Sequence, residues 1–220
     1  NAGANNADAL CNSAGSTINV NTLLEAGVVG GTWSETTTLN PPSGASFDPL
    51  TGLLDGSGLS AGVYTFLYDL PATASCPGDQ ATMIVTISNQ ETAGLDELTS
   101  TLCNSVGSAI DLNPELIGNS IVGTWAETSG SGQFDPTTGI FDGGGLTAGQ
   151  YNFTYTVNST MPCASDVALF EVSVTGVPNS AAGLDAGTCS FSYILGATPS
   201  IGTGIWTGTG VTFSNANSPT

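Results

Sequence analysis

The residues best suited to chemistry in this chain are acidic and come in pairs. FDPLTGLLDGSG places Asp48 and Asp55, and FDPTTGIFDGGG places Asp135 and Asp142, on either side of a tight turn. Hard cations such as Ca²⁺ take roughly six to eight oxygen ligands, and two carboxylates with loop carbonyls could begin such a site. The ligand density of an EF-hand loop is missing. The same residues also spell a β-hairpin, in which Asp-Pro starts the turn, Thr-Gly closes it and the following glycines let the chain bend. Asp96 and Asp185, in a repeated AGLD, stand near Glu91 and Glu97 or open a strand. They could hold an ion at a junction or simply face solvent.

Composition removes most other chemistry. Lys, Arg and His are all absent while Asp plus Glu number 18, a formal charge of -18. Without His there is no Ser-His-Asp or Cys-His constellation, and without Lys there is no Schiff base or Lys-Asn crosslink. Nucleic acid is disfavoured as a partner, because phosphate needs Lys or Arg to neutralise it, and so is an anionic membrane surface. Paired carboxylates for glycoside hydrolysis lack any accompanying Arg or His. An enzyme is not expected. Charged residues are 8% and hydrophobic ones 40% of the chain, so it can fold despite its net charge. No apolar run approaches the roughly 18 residues of a membrane span, and no charged n-region precedes an apolar stretch, so neither a span nor a signal peptide is expected in it.

Trp33, Trp125 and Trp206 could stack on sugars, but they recur at equivalent positions beside alternating apolar strands, which favours a core role. That recurrence is part of an internal repeat. Gly31 to Cys76 aligns with Gly123 to Cys163, so that Trp33 answers to Trp125, Phe47 to Phe134, Tyr64 to Tyr151 and Cys76 to Cys163. Upstream, Cys11 aligns with Cys103 and Ile18 with Ile110. A third copy starts at Ala182, carrying Cys189 and Trp206. The expected modules are 1–90, 91–177 and a truncated 178–220, a window on a longer polypeptide. The junctions at Ser88 to Thr92 and Gly176 to Ala181 are too short for free tumbling.

Each complete module has one early and one late cysteine. The expected pairs are Cys11 with Cys76 and Cys103 with Cys163, each closing a loop of roughly 60 residues and contributing about 4 kcal/mol by chain entropy. Free buried thiols are the alternative, and Cys189 is left unpaired. Two cysteines per module with no His and no CxxC do not make a zinc site. Disulfides imply an exported protein. Asn152 in NFT and Asn158 in NST fit the N-glycosylation pattern.

Period-two alternation marks the ends of the modules. Tyr151, Phe153, Tyr155 and Val157 alternate with Asn152, Thr154 and Thr156. Ala168, Phe170, Val172 and Val174 repeat the pattern, as do Ala81, Met83, Val85 and Ile87. These predict adjacent antiparallel strands joined by the loop that carries the late cysteine. Further short strands are predicted near Ile18 to Val20, Thr32 to Glu35, Ala45 to Phe47 and Leu53 to Leu54, and near their counterparts. The only helical turn is predicted at Asn21 to Ala26. Six or seven strands in about 90 residues describe an all-β chain of tandem immunoglobulin-like sandwiches, each with one disulfide inside the module.

The motifs GTWAET, FDPTTGIFD, LTAGQYNFTYTV, PCASDVALFEVSV and AGLDAGTC resemble the tandem modules of very large Bacteroidetes surface proteins. Those are similar to gliding-motility adhesins exported by the type IX secretion system. The resemblance implies an extracellular, cell-surface stalk or filament whose partners are neighbouring modules, other copies or surface glycans. Ligand binding by the modules, of carbohydrate or Ca²⁺, is the rival expectation, and strand exchange between subunits a third. The family's repeats are a scaffold, so no catalytic residue is implied.

Overall fold

A computed structural model describes residues 1–26, 28–38, 41–185, 187–200 and 204–217. Parts of two expected features, Leu39 and Asn40 in the loop after Trp33 and residues 186, 201–203 and 218–220 of the third copy, lie outside the described residues. The chain is all-β. The first repeat supplies β1 (Asn6–Cys11), β2 (Thr17–Asn19), β3 (Thr32–Glu35), β4 (Phe47–Asp48), β5 (Leu53–Asp55), β6 (Gly62–Leu70) and β7 (Asp79–Ser88). The second supplies β8 (Leu98–Cys103), β9 (Ala109–Asp111), β10 (Thr124–Glu127), β11 (Phe134–Asp135), β12 (Ile140–Asp142), β13 (Gly149–Val157) and β14 (Asp166–Thr175). Among the described residues, none beyond Thr175 is in a strand.

Both repeats build the same pair of sheets. In the first, a four-stranded sheet runs β1-β7-β6-β3 and a three-stranded sheet runs β2-β5-β4. In the second the orders are β10-β13-β14-β8 and β11-β12-β9, the same arrangement read from the opposite edge. Alternation decides which side chains turn inward. Tyr64, Phe66 and Tyr68 of β6 are buried opposite Val85, Met83 and Ala81 of β7. The other sheet meets them with Phe47 and Leu54, and the Phe47 and Phe66 rings lie 4.4 Å apart. Each such large apolar side chain contributes about 1.5–3 kcal/mol when fully buried. In the second repeat Phe141 and Phe134 meet Phe153 at 4.9 and 4.8 Å.

Two tyrosines brace the turn before the long strands. The Tyr64 hydroxyl donates to the Ser60 carbonyl at 3.0 Å, and the Tyr151 hydroxyl to the Thr147 carbonyl at 3.0 Å. This is the tyrosine corner of immunoglobulin-like sandwiches, written LSAGVY and LTAGQY. The helical turn is a 3-10 turn at Val20–Leu23, capped by the Asn19 side chain.

Two edge strands escape the sequence pattern. β1 and β8 pair in parallel with β7 and β14, and their side chains are mostly exposed or half-buried, so no apolar alternation marks them. Chain contacts divide the molecule into two compact units. One is Asn1–Asp96 with Leu116–Thr124 and Tyr155–Ala168; the other is Glu97–Glu115 with Trp125–Thr154 and Leu169–Thr220.

The cysteine pairing differs from expectation. Cys11 is bonded to Cys163, 152 positions along the chain, with Cα atoms 5.0 Å apart, while Cys76, Cys103 and Cys189 are free thiols. Strand geometry rules out the expected pairs. Cys11 sits in register with Ser88, at the far end of β7, whereas Cys76 lies in the loop before Asp79, where β7 starts. Ten residues at the usual strand rise span about 30 Å, far beyond the roughly 7 Å limit for a disulfide. Cys103, in register with Thr175, is separated from Cys163 by the length of β14 in the same way.

Candidate functional site

The acidic turns use their carboxylates locally. The Asp48 carboxylate accepts from the Leu50 amide at 2.9 Å and the Thr51 hydroxyl at 2.6 Å, and Asp135 accepts from the Thr137 amide at 2.9 Å. Asp55 and Asp142 accept from the Ser57 and Gly144 amides at 2.9 and 2.8 Å. The Thr51 hydroxyl, followed by the Leu50 amide, holds Asp48 below its ordinary pKa, and the Thr137 amide followed by the Thr138 hydroxyl does so for Asp135. The members of a pair do not share one point. Asp48 faces Leu53 across the hairpin, and Asp55 is two residues further along, about 7 Å at strand rise. No group of three or more His, Cys, Asp or Glu side chains suited to a metal occurs among the described residues.

Each turn is tied to a tryptophan through an asparagine. Trp33 and Trp125 are buried, each 7% exposed. Their indole N–H groups donate to Asn21 Oδ1 at 2.8 Å and Asn113 Oδ1 at 3.0 Å. The same amides donate from Nδ2 to the Thr51 and Thr138 carbonyls of the acidic turns, both at 2.6 Å. Gly52 and Gly139 sit beside these amides at φ 70° and 72°, where a Cβ would lie 2.6 Å from Nδ2. The asparagines carry no sequence flag except their identical distance before the tryptophan. Trp206 is half-buried, with its backbone N–H donating to the Ala216 carbonyl.

Other carboxylates find donors in the absence of any cation. Glu35 takes the Ser43 amide and hydroxyl and the Thr37 hydroxyl, and Glu127 takes the Ser131 amide and hydroxyl and the Ser129 hydroxyl. Partial burial pushes Glu127 up, but these hydrogen bonds together outweigh it and leave its pKa below the ordinary value. Asp166 accepts from the Ala93 amide at 2.9 Å and the Thr92 hydroxyl at 3.0 Å, and the Ala93 amide lowers its pKa most. Asp79 repeats the device with the Ala2 amide at 2.7 Å. Asp96 and Asp185 are exposed, as are Asn152 and Asn158.

The most built-up polar cluster surrounds the disulfide. Asn12, next to Cys11, donates its amide to the Ser88 carbonyl, accepts from the Gln90 amide at 2.7 Å and donates from Nδ2 to the Leu59 carbonyl at 3.1 Å. Gln90 Nε2 then reaches the Cys163 loop, donating to the Ala164 carbonyl at 2.9 Å and the Ser159 hydroxyl at 3.3 Å. The Glu91 amide donates to the Ser159 hydroxyl at 2.9 Å, and the Ser88 hydroxyl to the Met161 carbonyl at 3.2 Å. Cys11 and Cys163 are both buried there. The cluster joins Cys11, at the end of β1 beside the end of β7, to the late-cysteine loop of the second repeat. Nothing in it activates a nucleophile or gathers an anion site.

No protein-family model and no curated protein matches the chain. Solved structures with similar folds include Sidekick-1 immunoglobulin domains 1–4 (10% identity, TM-score 0.38, 80% of this chain and 48% of that one). Drosophila N-cadherin EC1-4 (8%, 0.36, 79% and 48%) and the I-band fragment I67-I69 from titin (11%, 0.37, 77% and 62%) are others. The chain thus spans about half the length of the first two.

Proposed function

We propose that the chain is a non-catalytic structural segment of a large extracellular adhesin, with modules 1–90 and 91–177 and the start of a third at 178–220. Its role is to extend reach, as stalk or filament, and its partners are neighbouring modules and other copies of the fibre. One observation carries this reading. The same internal devices recur in both repeats: the tyrosine corner, the Trp-Asn-turn bridge and the Asp-capped turn. Each uses its polar groups inside its own repeat. A ligand-binding site would need groups left over and converging, whereas a brick copied end to end needs reproducible folding.

The disulfide fits an exported location, since such bonds persist in oxidising compartments. Among the described residues no helix is long and apolar enough to cross a membrane. The resemblance to gliding-type Bacteroidetes adhesins supplies the finer assignment, including export by the type IX route. Immunogold electron microscopy of intact cells with antibodies to this chain tests it. Thin fibres labelled outside the cell are expected, and label confined to the interior or to compact particles overturns the proposal.

A further inference from the structure

Tension along a chain follows its covalent bonds, so the path of a pull can be traced residue by residue. Without the disulfide, a pull enters the first repeat through β1 and leaves it at the end of β7. These strands are parallel, with Asn6 opposite Met83 and Cys11 opposite Ser88, so the pull acts at opposite ends of their ladder and loads its hydrogen bonds in shear. β8 and β14 repeat this in the second copy, with Leu98 opposite Phe170 and Cys103 opposite Thr175. Each repeat is then a clamp in series that lets out its length when it opens.

The Cys11–Cys163 bond changes that path. Cys11 is the last residue of β1, and Cys163 lies just before Asp166, where β14 starts. A pull arriving along β1 crosses the two sulfurs, continues from Cys163 into β14 and leaves past Thr175. Residues 12–162 form a closed covalent loop beside this route. The loop holds β2 to β13, among them both three-stranded sheets. Hydrogen bonds close its neck: the Asn12 amide donates to the Ser88 carbonyl at 3.0 Å, Gln90 Nε2 to the Ala164 carbonyl at 2.9 Å and the Glu91 amide to the Ser159 hydroxyl at 2.9 Å. Cys11 is 6% and Cys163 4% exposed, so no thiolate reaches either sulfur while the neck is closed, and Cys76, Cys103 and Cys189 cannot exchange with the bond.

We propose that the bond is a load bypass, which carries tension from the first strand of the first repeat to the last strand of the second and keeps residues 12–162 from being drawn out while it stays oxidised. The role rests on the repeat-array reading, in which the chain bears load, whereas the path follows from the bond alone. Two ladders that would open in turn are taken out of the line of force. The length held back is large: the bond spans 152 positions, which at about 3.4 Å per extended residue is about 500 Å. Reduction by a dithiol turns the bypass into slack. Two electrons and two protons pass from the dithiol to the two cysteine sulfurs, and the dithiol closes to its own disulfide.

The test is optical-tweezers stretching of the whole folded chain, its free thiols alkylated with iodoacetamide, held through enzymatically ligated peptide tags between marker domains of known unfolding length. The oxidised molecule should reach unfolding of the marker domains without the step of roughly 250 Å that one opened repeat would release. Adding dithiothreitol to the same molecule should lengthen it by about 500 Å. Cys11→Ser should show the longer chain without reductant, and because the reading is a contour length it holds whether or not that variant folds. Steps of roughly 250 Å in the oxidised molecule, or the same length before and after dithiothreitol, would overturn the bypass and leave the array reading standing. Label confined to the cell interior in the immunogold experiment would remove the array reading and leave the measured path of force as it is.

Discussion

With no Lys, Arg or His in the chain, the carboxylates take amides and hydroxyls as partners. Asp166, Glu127, Asp79, Asp48, Asp55 and Asp135 all have pKa values below the ordinary range, and each accepts at least one such bond. The fold therefore favours the ionised form. Its contribution is complete above the unfolded-state pKa of about 4 and is lost as pH falls towards the lower folded values. Thermal melts should hold steady from neutrality to about pH 5 and drop below about pH 4. Asp166→Asn should melt lower at neutral pH and show a shallower acid decline. Asn21→Ala takes the acceptor from the N–H of the buried Trp33, which should cost about 1–3 kcal/mol in urea unfolding. Adding Ca²⁺ to Asp135→Ala and to the parent should leave the difference between their melting temperatures unchanged, because the carboxylate caps its own turn.

The elements rest on close approaches as much as on alternation. Gly31, one residue before β3, lies so near the Tyr68 ring that a Cβ would fall 2.5 Å from it, and its amide donates to the Tyr68 hydroxyl at 2.8 Å. Gly123 meets Tyr155 and the Thr156 carbonyl in the same way ahead of β10. Gly31→Ala should therefore destabilise by about 1–3 kcal/mol through overpacking, read as a lower urea midpoint with unchanged slope. The glycine of GTW was visible in the sequence, but its reason was not, since it depends on a ring contributed by a strand some forty positions later. The long strands β6, β7, β13 and β14 were legible because one face is buried and the other wet. β1 and β8 were not, because an edge strand with little buried surface leaves its pairing to the backbone, which has no sequence signature.

At the scale of the molecule, a charge of -18 without counter-charge repels itself, so moderate salt should raise the melting temperature by screening. The Cys11–Cys163 bond spans 152 positions, which by chain entropy corresponds to about 5 kcal/mol. Cys163→Ser should lower the urea midpoint sharply and, by freeing Cys11, leave a thiol that alkylates. The internal repeat, the two sheets of each sandwich, the buried Trp33 and Trp125 and the hairpin at each acidic turn could all be read from residue order, because each follows from local periodicity or from copying. Cysteine pairing could not. Whether two cysteines bond depends on a separation of a few ångströms between Cα atoms, and that is set by strand register and by where β7 ends. The repeat suggested a bond within each copy; strand register excludes that, and the bond formed links the early cysteine of the first copy to the late cysteine of the second.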